Sequence, residues 1–175
     1  ISDEIMNQGV FARTNFTFVM TSLRSLMLVT AGMYLARSMG PNSFGEFSFL
    51  LASFIGLKTL IDLGTSSAFY TFVSGGNVKS NVIQFYFLWL VLQFVVPIII
   101  IFWFFPIDWI SAIWPDSETL VIFLAWVAVF SQHSFWASIA QVGDANRATY
   151  LVQSLSLLLS LIYLMAILLV DLLYD

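Results

Sequence analysis

The run Val82–Phe105, VIQFYFLWLVLQFVVPIIIIFWFF, decides the fold class. It carries no charged residue, and at 1.5 Å per helical residue it is long enough to cross a hydrocarbon core of about 30 Å. The alternative spanning element, a barrel strand, alternates apolar and polar side chains over about ten residues. Val95–Phe105 is instead a continuous apolar block, so a membrane-spanning α-helix is predicted and a β-barrel is rejected.

The rest of the chain repeats the pattern. Apolar residues make up 60% of the 175 and charged residues only 9%, against about 25% charged in ordinary soluble domains, so too few charges remain to clothe a water-facing surface. A mean hydropathy of +0.94 agrees. The search for apolar runs of spanning length predicts an all-α polytopic transmembrane helix bundle of about five spans, approximately 16–36, 44–72, 82–105, 120–141 and 149–170. Residues with turn chemistry separate them: Met39-Gly40-Pro41-Asn42, Ser74-Gly75-Gly76-Asn77 and Val142-Gly143-Asp144-Ala145-Asn146. The longer connection Pro106–Thr119 carries Trp109 and Trp114 with Asp108, Asp116 and Glu118, which suits a short amphipathic segment at a membrane surface. The chain opens at Ile1 without a basic segment and cleavage site, so the first run reads as a retained span. Both ends are expected to continue in a longer parent.

Short loops force successive spans to run antiparallel, so one orientation fixes every loop. With a cytoplasmic N-terminus, Arg13, Lys79 and Arg147 lie inside and only Arg37 outside, as the positive-inside rule favours. The external side then collects Glu46, Asp108, Asp116, Glu118, Asp171 and Asp175.

Ionisable side chains inside a span cost a few kcal/mol on insertion scales and mark partners or wet cavities. Arg24 in the first span and Lys58 and Asp62 in the second are such residues. Counted from the cytoplasmic ends, Arg24 lies roughly 12 Å and Asp62 roughly 15 Å deep, so the two could meet across antiparallel neighbours. Lys58 and Asp62, four residues apart, share one helix face and could also pair. Thr17 and Thr21 line the Arg24 face, and Thr59, Thr65 and Ser66 flank Lys58 and Asp62. An ion-pair clamp that only locks two helices is the bland reading, and a functional cation surplus the sharper one.

Ser131, Ser134, Ser138 and Gln141 recur on the fourth span, and Gln153, Ser156, Ser160 and Tyr163 on the fifth, at spacings that suit helix packing or a cavity lining. His133 is a lone histidine, read as a packed or interfacial side chain rather than a ligand. Cysteine is absent, which removes disulfides and thiolate metal sites. A spread net charge of −4 gives no basis for nucleic-acid binding. The sequence offers no cofactor motif, metal set or catalytic constellation, so an enzyme is not expected.

Tyr34–Ala52, YLARSMGPNSFGEFSFLLA, followed by Leu60–Ala68, LIDLGTSSA, resembles the start of the polysaccharide and O-antigen repeat-unit flippases of the multidrug, oligosaccharidyl-lipid and polysaccharide exporter superfamily. The resemblance rests on Ala36-Arg37, Met39-Gly40-Pro41, Phe44-Gly45 and Asp62-Leu63-Gly64. In physical terms Gly40 and Pro41 end one helix in a tight turn, and Gly45 would let two helices approach closely. The resemblance implies a bacterial inner-membrane, multi-pass transporter of twelve to fourteen spans in two lobes. This chain would be most of the N-terminal lobe, its partners being membrane lipids, the C-terminal lobe and a lipid-linked oligosaccharide.

On that expectation Arg24 and Lys58 line a cavity for an anionic diphosphate, and Asp62 holds them or couples transport to an ion. Two other functions remain open: a cation-coupled multidrug exporter, and a structural or assembly subunit.

Overall fold

The computed structural model describes the backbone of residues 2–75, 80–115, 117–145 and 148–174, and the side chains of 11–75, 81–115, 117–145 and 148–169. The expected loop residues Gly76, Asn77, Lys79, Asp116, Asn146, Arg147 and Asp175, and the side chain of Asp171, lie outside the described residues. Every described element is helical: α1 Ser2–Asp62, α2 Thr65–Ser74, α3 Ser80–Ile99 with a π-helical turn Ile100–Phe104, α4 Ile107–Ile113, α5 Thr119–Phe130 with a π-helical turn Ser131–Trp136, α6 Ala137–Ala145 and α7 Thr149–Tyr174. Four stretches are long and apolar enough to cross a membrane, Phe11–Asp62, Asn81–Phe104, Thr119–Ala145 and Thr149–Leu169. The chain is thus an all-α, multi-pass membrane protein.

The first stretch holds 52 residues, about 78 Å of helix and far more than one crossing needs. Its geometry fails at Gly40, where φ is 79° and ψ 166°, a region essentially confined to glycine. The sequence predicts a turn over 39–42, whereas helix runs up to Met39 and resumes at Pro41. Proline at the first position of a helix has no N–H to waste and a φ already set for it, which keeps the interruption to one residue. A β-carbon built on Gly40 would meet nothing within 4 Å, so the constraint there is conformational. The same holds at Gly45, which is exposed and has open space around its α-carbon. The expected close helix approach at Gly45 is therefore not what this glycine provides.

The second predicted span, 44–72, is also interrupted. Leu63 (φ 48°) and Gly64 (φ 79°) both adopt left-handed backbone between α1 and α2. Two consecutive residues of that hand cannot continue a right-handed helix.

Two compact units divide the chain, Ile1–Phe44 with Asn146–Asp175, and Gly45–Ala145. In the first, the Phe16 and Tyr150 rings meet at 4.7 Å. Ala31, Val152, Ser156 and Ser160 are buried, and Ser160 Oγ donates back to the Ser156 carbonyl at 2.9 Å. Ser156 and Ser160 thus behave as packing residues, whereas Tyr163 on the same row is exposed.

The second unit has a dense aromatic centre built on Leu50, Phe54, Leu90, Ile101, Trp114, Ile122, Trp126 and Phe130. Phe54 packs against Trp114 and Trp126 at ring distances of 5.1 and 5.5 Å. Buried indoles need a partner for their N–H: Trp114 Nε1 donates to Ser53 Oγ at 3.0 Å and Trp126 Nε1 to the Phe94 carbonyl at 3.0 Å. Trp114 therefore belongs to the core and not to the membrane surface expected for it, because its indole has both an aromatic slot and an acceptor inside. Trp109, on the short helix α4, stays exposed as predicted.

Candidate functional site

The register of the helices in the unit Gly45–Ala145 follows from residues that touch. Gln93 reaches Ile61, Trp89 reaches Thr65, and Tyr86 stacks on Phe69 at 3.7 Å. Numbers fall on α3 as they rise on α1 and α2, so these elements are antiparallel. Likewise Phe94 meets Phe130, Phe87 meets Phe135, and Tyr86 shares a hydrogen bond with Ser138 at 3.0 Å. The stretch Thr119–Ala145 therefore runs parallel to α1 and α2, with α3 antiparallel to both.

This register fixes the depth of the helix interruption. Gln93 sits near the middle of the spanning stretch Asn81–Phe104, and it is level with Ile61. The π-helical turn Ser131–Trp136 lies near the middle of Thr119–Ala145. The left-handed pair Leu63–Gly64 and this π turn thus occupy one mid-membrane level, where two neighbouring spans depart from α geometry together. Irregular backbone at membrane depth must find its hydrogen bonds inside the protein.

The side chains around the interruption supply those bonds. Asp62 Oδ1 accepts from the Ser66 hydroxyl at 2.6 Å, from the Thr65 hydroxyl at 3.0 Å and from the Ser66 backbone N–H at 3.3 Å. That N–H is one of the donors a helix leaves unpaired at its N-terminus, so Asp62 caps α2 from across the break. Helix α3 straps both sides: Gln93 Nε2 donates to the Ile61 carbonyl at 3.0 Å, and Trp89 Nε1 to Thr65 Oγ1 at 3.1 Å. Gln93, only 3% exposed, is the most deeply buried amide of this belt.

The expected Lys58–Asp62 ion pair does not form among the described residues; Asp62 Oδ1 serves Thr65 and Ser66 instead. Lys58 is half-buried, with no carboxylate bonded to it among the described residues. Lys58 follows Phe54 by one helical turn and shares its face, and Phe54 packs on Trp126, which precedes the π turn carrying His133. Ser134, next to His133, is 2% exposed, and its hydroxyl oxygen has no hydrogen-bond partner among the described residues.

Arg24 belongs to the other unit. It is half-buried, and its Nε is buried without a partner among the described residues. On the same helix Arg13, Thr14, Thr17, Phe18 and Thr21 line an open groove of about 450 Å³. Thr17, Thr21 and Arg24 follow one another at helical spacing and share one face of the helix. Gly64 supplies the left-handed backbone of the interruption, and Phe44 is half-buried.

Three residues of the mid-membrane belt went unread in the sequence: Tyr86, Trp89 and Gln93. A signal for Gln93 was present, since an amide inside an otherwise apolar span is costly unless bonded. Nothing in the sequence marked Trp89 or Tyr86 among so many aromatic residues. Comparison of the chain with protein-family models, with characterised proteins and with solved structures finds no match.

Proposed function

We propose that the protein is the N-terminal transmembrane part of an exporter that moves a polyprenyl-pyrophosphate-linked oligosaccharide from the inner to the outer leaflet of a bacterial inner membrane. The observation that carries this reading is the state of Lys58: a cation at mid-membrane level with no carboxylate bonded to it among the described residues. An uncompensated ammonium in a low-dielectric zone is costly. A transient anion such as a diphosphate offsets that cost when it arrives. Arg24, whose buried Nε also lacks a partner among the described residues, would act in the same sense. The resemblance of residues 34–68 to polysaccharide flippases names the carrier lipid and the sugar cargo, and with them the C-terminal lobe as partner.

The test uses the full-length protein in cells. Arg24→Ala should lower export of surface glycan more than it lowers the amount of folded protein in the membrane. A purely structural Arg24 would reverse that order, with the amount of folded protein falling before export does.

The position of Asp62 favours a second reading. A carboxylate at a mid-membrane helix interruption is where transporters place coupling ions, so a cation-coupled multidrug exporter remains a rival. Export of cationic dyes that depends on a Na⁺ or H⁺ gradient and disappears in Asp62→Asn would favour it.

A further inference from the structure

Two helices on one side of the mid-membrane level pack as a pair. Among the described residues, α2 and α6 approach each other more extensively than any other two helices not adjacent in the chain. Small side chains permit this, Thr65-Ser66-Ser67-Ala68 opening α2 and Ala137-Ser138 opening α6. Each helix starts where its span leaves α geometry, α2 after the left-handed pair Leu63–Gly64 and α6 after the π-helical turn Ser131–Trp136. Leu63 is exposed and a β-carbon on Gly64 would meet nothing within 4 Å, so backbone angles there can change without a clash.

On the other side of the two breaks the aromatic centre interlocks, with Phe54 against Trp114 and Trp126 and both indoles bonded. Helix α3 passes both breaks as one helix. It holds the α2–α6 pair through the Trp89–Thr65 bond, the Tyr86–Phe69 ring stack and the bond Tyr86 shares with Ser138.

The buried polar groups of this unit are served unequally. Gln93, Trp114 and Trp126 have partners, whereas Ser134 Oγ, Gln141 Oε1 and Asp144 Oδ1 are buried with none among the described residues. All three lie at or beyond the π turn. Ser138 Oγ donates to the Ser134 carbonyl one turn back, and Gln141 lies three residues on, so Ser134 and Gln141 share the face that Ser138 turns to Tyr86. Buried oxygens without a partner cost free energy, and water reaching that face would relieve the cost.

We propose that α2 and α6 form one limb that swings off α3 about Leu63–Gly64 and the Ser131–Trp136 turn, admitting water from the ends of α2 and α6 up to the mid-membrane level. The aromatic centre and α3 stay in place, and the Tyr86 contacts are the latch. The limb deepens the transport reading and rests on it only for what passes through the opening.

Residues 1–175 contain no cysteine, so Ser134→Cys in the full-length protein, with any cysteine outside them replaced, reports on water at the buried face. A methanethiosulfonate reagent attacks the thiolate, which needs water around it. In vesicles, Ser134→Cys is expected to react, and Ala125→Cys, buried on the same span across the π turn, to stay silent. Tyr86→Phe keeps the ring stack but removes the hydroxyl, and should speed labelling of Ser134→Cys about fivefold, as the loss of one neutral hydrogen bond implies. Gln141→Cys, on the same face, is a second reporter and should follow Ser134→Cys. Equal reactivity at Ser134→Cys and Ala125→Cys, or labelling that Tyr86→Phe leaves unchanged, overturns the limb. Such a failure would leave the export phenotype of Arg24→Ala standing, so the two proposals fall separately.

Discussion

The interruption at Gly40 and the interruption at Leu63–Gly64 solve one geometric problem in opposite ways. At Gly40 a single residue takes backbone angles closed to other amino acids, next to exposed Arg37, Ser38, Pro41, Asn42 and Ser43. No side chain outside the helix is needed there, since water or headgroups can serve the freed backbone groups. At Leu63–Gly64 the break lies level with the middle of two neighbouring spans, where no solvent can help. Asp62, Thr65, Ser66, Trp89 and Gln93 all bend to its service. The depth of a break, more than its backbone angles, decides how many side chains must be spent on it.

That contrast can be broken by substitution. The largest effect is expected at Asp62→Ala, which strips the acceptor from the Ser66 hydroxyl and the Ser66 backbone N–H at membrane depth, Thr65 keeping the Asp62 carbonyl at 2.7 Å, and should cost about 3 kcal/mol. Asp62→Asn keeps an acceptor and should cost clearly less. Unfolding midpoints in a detergent titration would show the order, and equal losses would deny the capping role. Gly40→Ala should follow, at about 2 kcal/mol, wholly from backbone strain, since space for the methyl group exists. No compensating side-chain change nearby should rescue it.

Gly64→Ala should cost less, about 1 kcal/mol, because left-handed helical backbone is closed to alanine far less firmly than the region Gly40 occupies. Measured against Gly40→Ala in the same titration, a larger loss at Gly64 would reverse the ranking. Gly45→Ala sharpens the comparison from the other side. Its helical, exposed position and open surroundings predict a gain of roughly 0.5–1 kcal/mol, whereas a glycine kept for close helix contact would lose stability.

How far the sequence carried the reading follows the same divide. Val82–Phe105 declared a membrane helix because nothing else buries an uncharged run of that length, and Gly40-Pro41 declared an interruption because both residues have narrow backbone meaning. The second break hid behind Leu63, an ordinary residue 81% exposed and forced into left-handed backbone by its context. Asp62 was visible as a charge, but its bonds run to Thr65 and Ser66, and the choice between these and Lys58 depends on how the chain turns after it. The Phe54–Trp126 contact joins residues 72 positions apart in sequence. It depends on the parallel register of two spans that α3 sets between them, and periodicity along one helix carries no record of that. Trp114 shows the same limit, since headgroup water and the Ser53 hydroxyl are equally good partners for an indole until packing chooses.

The central claim, that the cations of this bundle serve an anionic lipid-linked cargo, is tested most directly by reconstitution. Full-length protein in vesicles, loaded on one leaflet with a fluorescent polyprenyl-diphosphate oligosaccharide, should carry it to the opposite leaflet faster than protein-free vesicles, as read by lectin capture. The transfer should saturate with the lipid and fall in Arg24→Ala and Lys58→Gln at equal protein content. Transfer no faster than in protein-free vesicles, or transfer untouched by removal of both cations, would contradict the account.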